Sequence, residues 1–270
     1  MSEAIRIAMW SGPRNISTAM MRAFENRTDT AVIDEPFYAA FLARSKVDHP
    51  MREAVLAAGE TDPGRVAARL VGPVPGGAPI FYQKHMTHHM LDGFDRAWMD
   101  HCRHAFLIRA PERVLASYSA RRAEVELGDI GFVRQCELFD EVAVRLGRAP
   151  PVVDAEDVLS DPARALTALC AALGIDFDPA MLAWPAGRRA TDGVWAPVWY
   201  QAVERSTGFG PPRPEPAPLE RRLQAIADAA RPHYERLARY RIFGVIPAIA
   251  GGATGGASSQ PPPKAWKTPT

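Results

Sequence analysis

The sequence predicts an α/β protein of three layers, a central parallel sheet of about five strands with helices on both faces. Two observations predict it. Short apolar runs at Ile5–Trp10, Ala31–Asp34, Ile80–Gln83, His104–Ile108 and Pro151–Asp154 alternate with helical patterns, as expected where crossover helices lay strands side by side. The chain of 270 residues, 47% of them hydrophobic, is long enough for one large domain with a substantial core or for two small ones, and one is expected. Ligands of such sheets gather beyond the carboxyl ends of the strands. Attention therefore falls on Ser11–Thr18, Glu35–Phe37, Lys84–His85, Arg109–Ser117 and Asp154–Asp157.

The first run ends at Ser11, Gly12 and Pro13, and a helix is expected from Ile16 to Asn26. A strand, a tight turn and a helix opening on Asn15, Ser17 and Thr18 build an anion cradle from free N–H groups and the positive helix end. Arg14 adds a full charge at its mouth. The alternative is an ordinary strand–helix turn capped by Ser or Thr. Arg44–Pro79 is polar, then rich in Gly and Pro, and reads as an inserted flap with one or two helices. After His104–Ile108 comes Arg109, then Pro111 opening a helix that carries Ser117. Arg supplies a fork of donors and Ser a hydroxyl, so the two suit a second anion grip. Their plain alternatives are an ion pair of Arg109 with Glu112 or Asp100, and a serine bonded back to its own turn.

Further helices are expected over Phe132–Leu146, Pro162–Leu173 and Leu219–Tyr240. Asp154, Glu156 and Asp157 read as structural, capping a helix and fixing the sheet edge. Trp184, Trp195, Trp199 and Tyr200 read as core or as pocket lining. The domain is expected over 1–245, with 246–270 (GGATGG…PPPKAW) as a disordered tail.

The net charge of +1 argues against nucleic acid or anionic membrane as partners, and no apolar run approaches a membrane span. The first strand begins within five residues of Met1, which leaves no room for a signal peptide. Cys102, Cys136 and Cys170 fit reduced, packed thiols. A cytoplasmic protein is expected, with a small-molecule partner and a homodimer left open. The histidines between His85 and His104 match no standard ligand spacing, so no metal is expected.

Pro13–Thr18 (PRNIST) together with Arg109, Ser117 and Tyr118 resembles the two motifs of the sulfotransferases that use 3′-phosphoadenosine 5′-phosphosulfate. The stretch VVDAEDVLSDPARALTALCAALGI resembles a third segment of that family. WSGPRNISTA, DEPFY, the Lys84–His85 pair, DGVWAPVWY and STGF look like a divergent bacterial and plant branch of it, over roughly Ile5 to Tyr240. The resemblance implies a P-loop NTPase-like sulfotransferase fold. It also implies that Gly12, Pro13, Arg14, Asn15, Ile16, Ser17 and Thr18 grip the 5′-phosphosulfate, and Arg109 and Ser117 the 3′-phosphate. Ile16 stands where the family has a loop glycine, Lys84 and His85 are adjacent rather than spaced by one residue, and Glu112–Arg113 replaces an acidic pair.

The expected reaction is sulfuryl transfer from that donor to a hydroxyl or amine. Glu35 or His85 would act as base, with Lys84 and Arg14 stabilising charge. Glu35 alternatively caps the helix near Phe37, and His85 alternatively serves as a satisfied core donor. A P-loop-like kinase or hydrolase lacks its loop lysine here, and a relative that only binds 3′-phosphoadenosine 5′-phosphate is the remaining alternative.

Overall fold

β1 (Ile5–Ser11) lies at the centre of the sheet, and α1 (Ser17–Glu25) follows it. The chain continues through β2 (Thr30–Asp34), α2 (Tyr38–Ser45), α3 (Arg52–Ala58), α4 (Pro63–Val71) and β3 (Ile80–Met86). Then come β4 (Arg103–Ile108), α5 (Pro111–Ser119), α6 (Phe132–Leu146), β5 (Val152–Asp154), α7 (Ala155–Ser160) and α8 (Pro162–Ala172). Two short helices, α9 (Ala196–Trp199) and α10 (Gln201–Glu204), precede the long α11 (Arg221–Ala238). This computed structural model describes residues 4–47, 49–120, 124–212 and 214–242. The expected tail and the end of the expected domain lie outside them.

The five strands are all parallel and run in the order β2-β3-β1-β4-β5. The α/β reading from sequence therefore stands. Side chains alternate across the strands. Ile7, Met9, Tyr82, Leu107 and Val153 pack with α1 and α8 on one face. Ala8, Trp10, Phe106, Ile108 and Val152 pack with α4, α6 and α11 on the other. Each large side chain buried this way contributes about 1.5–3 kcal/mol.

Two boundaries depart from expectation, with consequences for the site. β3 continues to Met86, so Lys84 and His85 lie inside the strand and not just after it. The reason is pairing on both sides: Lys84 stands opposite Met9 on β1 and Asp34 on β2, and the ladder holds the polar residues in place. Helix α1 starts at Ser17, not Ile16, because Ile16 has φ 56° and cannot be helical. The expected flap is also more deeply built in. Pro63 opens α4, Asp62 Oδ1 accepts from Gly64 N at 2.8 Å, and Val66, Ala67 and Leu70 enter the core.

Next to Trp10 the core holds two neutral imidazoles. His85 stacks on Trp10 with centroids 4.6 Å apart. His104 takes the Trp10 Nε1–H on Nδ1 at 3.0 Å and lies 2.9 Å from Met99 O through Nε2. Burial, then the neighbouring His104, lowers the pKa of His85 to about 3; burial lowers that of His104 to about 4. An unfolded chain binds these protons below pH ~6.5, whereas the folded one refuses them. Stability should therefore fall as pH drops from about 6.5 towards 4, by up to ~1.4 kcal/mol per pH unit per histidine. A urea midpoint lower at pH 5 than at pH 7, with a smaller difference in His104→Gln, is the expected result. Equal midpoints would refute it.

Candidate functional site

β1 hands the chain through α1 on one face to β2, while β4 hands it through α5 and α6 towards β5. Neighbouring strands whose connections diverge leave a crevice beyond their carboxyl ends. The loops after β1 and β4 meet there and line a cavity of ≈ 270 Å³.

The first loop is held in a specific and strained shape. A Cβ on Gly12 would stand 2.7 Å from Ile130 O, so the close approach of the two backbones requires glycine. Gly12 thus supports the loop from beneath, while Pro13 to Thr18 line the crevice. Arg14 and Ile16 adopt left-handed conformations, φ 62° and 56°, at a cost of roughly 1–2 kcal/mol each. The conformation expected of a glycine is thus kept at Ile16 without one. Asn15 is spent on structure: its Nδ2 donates to Leu107 O at 3.1 Å, tying the loop to β4. Helix α1 has no side-chain cap, and its first N–H groups have no acceptor within the helix. The Ser17 and Thr18 side chains stand beside them in the crevice wall.

The two expected grips interlock. Arg14 Nε donates to Ser117 Oγ at 2.9 Å, and Arg109 Nη1 donates to Arg14 O at 3.1 Å. Arg109 is 7% exposed and turns its guanidinium towards the first loop. Its acidic partner is Glu156, at 3.1 Å from Nε and 3.0 Å from Nη2. The sequence had offered Glu112 and Asp100, which pair instead with Arg231 and Arg145. Glu156 therefore anchors the Arg109 guanidinium and is not merely part of a cap. Asp154 does cap α7, accepting from Glu156 N at 2.9 Å.

Beside the loops lies a buried charge cluster. Lys84 Nζ donates to Asp34 Oδ1 at 2.8 Å, Glu35 Oε1 at 2.6 Å and Tyr200 OH at 2.7 Å. Those bonds use all three ammonium protons. Lys84 accordingly holds the cluster together and has no proton to spare for a transferring group, contrary to the role expected from sequence. Burial works to lower its pKa, but Asp34 and Glu35 outweigh that and the net shift is upward. Burial pushes the Glu35 carboxyl up; Lys84 opposes this and Asp34 adds to it. Glu35 has φ 43°, and its carboxyl is nearly buried at the crevice wall.

His85 is elsewhere. One residue along a strand reverses the side chain, so His85 points into the opposite apolar layer against Trp10, Phe37 and Trp98. Its Nε2 lies 3.2 Å from Gln83 Oε1. It is a core histidine, and the expectation that it serves as a base does not fit its position.

The late segment completes the wall. Asp192 pairs with Arg22 at 2.7 Å, Gly193 N donates to Asp34 Oδ2 at 3.1 Å, and Tyr200 OH donates to Asp34. Tyr200 OH also accepts from Trp195 Nε1 at 2.9 Å. Burial, then Asp34 and Glu35, raises its pKa well above 10, so it stays protonated. Trp199 stacks on His49 and Tyr118 at the crevice, while Trp184 and Trp195 are core. Asp34, Glu156 and His89 are neighbours of the crevice to which the sequence reading gave no such role, and Tyr200, expected as core or pocket lining, is bonded into the charge cluster. The DEP motif held the signal for Asp34, and the WY motif that for Tyr200. Among the described residues no group of His, Cys, Asp and Glu could hold a metal ion, and no helix is long and apolar enough to cross a membrane.

Comparison with known proteins gives the family. Residues 5–240 match the sulfotransferase domain, and the chain belongs to that family. It is 36% identical over 216 residues to branched-chain-amino-acid aminotransferase-like protein 1 of Arabidopsis thaliana, covering 80% of this chain and 38% of that protein. To protein 2 of the same name and organism it is 34% identical over 210 residues, covering 78% and 37%. The chain thus spans less than two fifths of the length of these relatives. Among solved structures it resembles a sulfotransferase from Alicyclobacillus acidocaldarius (TM-score 0.52, 13% identity, 88% of this chain and 96% of that one). It also resembles a sulfotransferase domain from the curacin biosynthetic pathway (TM-score 0.50, 17% identity, 85% and 98%). At these identities the two structures speak for the fold.

Proposed function

We propose that this chain moves a sulfuryl group from 3′-phosphoadenosine 5′-phosphosulfate to a hydroxyl or amine of a small-molecule acceptor. One observation carries the reading: the loops after β1 and β4, each with a basic residue, are bonded to each other beside a buried carboxylate at one crevice. The residues present suit a doubly anionic nucleotide. An uncapped helix start, two hydroxyls and Arg14 line the crevice, next to Arg109 and Ser117.

The donor, when bound, supplies an activated sulfuryl group on a phosphate leaving group. Pro13 to Thr18 would hold its phosphosulfate end and Arg109 and Ser117 its 3′-phosphate. Glu35 is the base, taking the acceptor's proton. Lys84 and Tyr200 fix the Glu35 carboxyl in place, and Arg14 with the first N–H groups of α1 steadies charge on the leaving oxygen. The buried, unpaired Cys102, Cys136 and Cys170 support a reducing compartment, the cytoplasm.

Binding tests the nucleotide assignment. 3′-Phosphoadenosine 5′-phosphate should raise the thermal midpoint, and ATP should not. Arg109→Ala should weaken the former about 10–100-fold, the size expected for a lost hydrogen bond to a charged group. Equal stabilisation by ATP with Mg²⁺, or unaltered binding in Arg109→Ala, overturns it. Transfer of labelled sulfate to an acceptor separates an enzyme from a protein that only binds the nucleotide.

A further inference from the structure

His89 lies at the crevice wall beside Glu35, 2% exposed. Its ring stacks on Tyr38 at 4.5 Å and on Phe41 at 4.9 Å, which fixes its plane. Its Nδ1 is buried without a hydrogen-bond partner and lies 3.9 Å from Glu35 Oε2. That separation is too long for a hydrogen bond, and an unpartnered buried group costs about 1–3 kcal/mol. Glu35 Oε1 is already taken by Lys84, which leaves Oε2 as the carboxylate oxygen beside His89 Nδ1. An oxygen about 2.8 Å from both fits two atoms at this spacing.

We propose that His89 orients the acceptor, its Nδ1–H donating to a hydroxyl oxygen whose own proton is directed to Glu35 Oε2. The assignment rests on the sulfotransferase reading above and sharpens it, because it selects hydroxyl acceptors over amines. A hydroxyl oxygen has two lone pairs, one to attack sulfur and one to accept from His89. A neutral amine has a single pair and cannot do both. In the transfer the acceptor oxygen bonds to sulfur, and the bond between sulfur and the donor's phosphate oxygen breaks with its electrons left on that oxygen. The proton ends on Glu35. His89 enters and leaves neutral; burial above all, then the surrounding histidines and Lys84, holds its pKa well below 6.5.

Two measurements on the full chain test this. Histidine ring ¹⁵N spectra at pH 7.5 should show His89 protonated at Nδ1; protonation at Nε2 overturns the proposal whatever the enzyme's activity. In kinetics with labelled donor and matched alcohol and amine acceptors, the alcohol should be preferred. His89→Ala should lower kcat/KM for the alcohol about 10–100-fold, mostly through acceptor KM, with 3′-phosphoadenosine 5′-phosphate binding unchanged. His89→Asn, whose amide nitrogen falls near Nδ1, should recover most of the loss, and His89→Gln should not. Preference for the amine, or His89→Asn as poor as His89→Ala, overturns the proposal. Absence of all sulfuryl transfer by the wild-type chain, with nucleotide binding intact, overturns instead the proposed function on which it stands.

Discussion

Replacing Glu35 by Gln should lower kcat/KM for sulfuryl transfer by about 10²–10⁴-fold, the range for loss of a positioned base. Affinity for 3′-phosphoadenosine 5′-phosphate should stay unchanged, because Glu35 is not part of the grips built on Arg14 and Arg109. Gln keeps an oxygen for the Lys84 bond (2.6 Å in the wild type), so the fold should survive. The pH profile gives a second reading. A base works deprotonated, so wild-type kcat/KM should fall as pH drops through the Glu35 pKa. Burial places that limb above the ordinary carboxylate range. Glu35→Gln should lack the limb. A variant that retains both the rate and the limb rules out Glu35 as the base.

The second large effect is on stability. Lys84→Met should cost about 3–5 kcal/mol, the usual penalty for breaking a buried ion pair from one side. The side chains of Asp34 and Lys84 are 2% and 1% exposed, so removing the ammonium leaves carboxylate charge with little water to solvate it. A chain of this size should melt about 2–4 °C lower per kcal/mol, roughly 10 °C in total. Adding Asp34→Asn to Lys84→Met should restore part of the loss, since the charge left behind is what destabilises. A Lys84→Met protein that melts like wild type would show the cluster to be solvated in solution.

How much of this was legible in the sequence depends on range. The strands were readable because buried parallel strands are short apolar runs, and each expected run falls on an observed strand. The loop after β1 was readable because its chemistry is local: Gly12 and Pro13 end the strand and a helix follows, though β1 keeps Ser11 and the helix starts one residue later than expected, at Ser17. The end of β3 was not. Lys84 and His85 look like strand-ending polar residues, yet pairing to β1 and β2 carries the strand through them. From that error followed the role given to His85, since it faces away from Lys84 only if the strand runs on through both. Tyr200 and Asp34 are 166 residues apart in the chain, and no local pattern announces their bond. The left-handed Ile16 was also hidden, because an isoleucine gives no sign of a glycine's backbone angle.

Tyr200 lines the crevice, and its hydroxyl is bonded to Asp34 and Glu35, the second of which is the carboxylate proposed to take the acceptor's proton. Exchanging residues around Tyr200 to admit a differently shaped compound would disturb proton removal at the same stroke. If the proposed reaction holds, retuning of acceptor choice is thereby channelled to lining positions without that tie, for which Ala202, Val203 and Phe209 are candidates. Selectivity can then drift while the chemistry stays fixed.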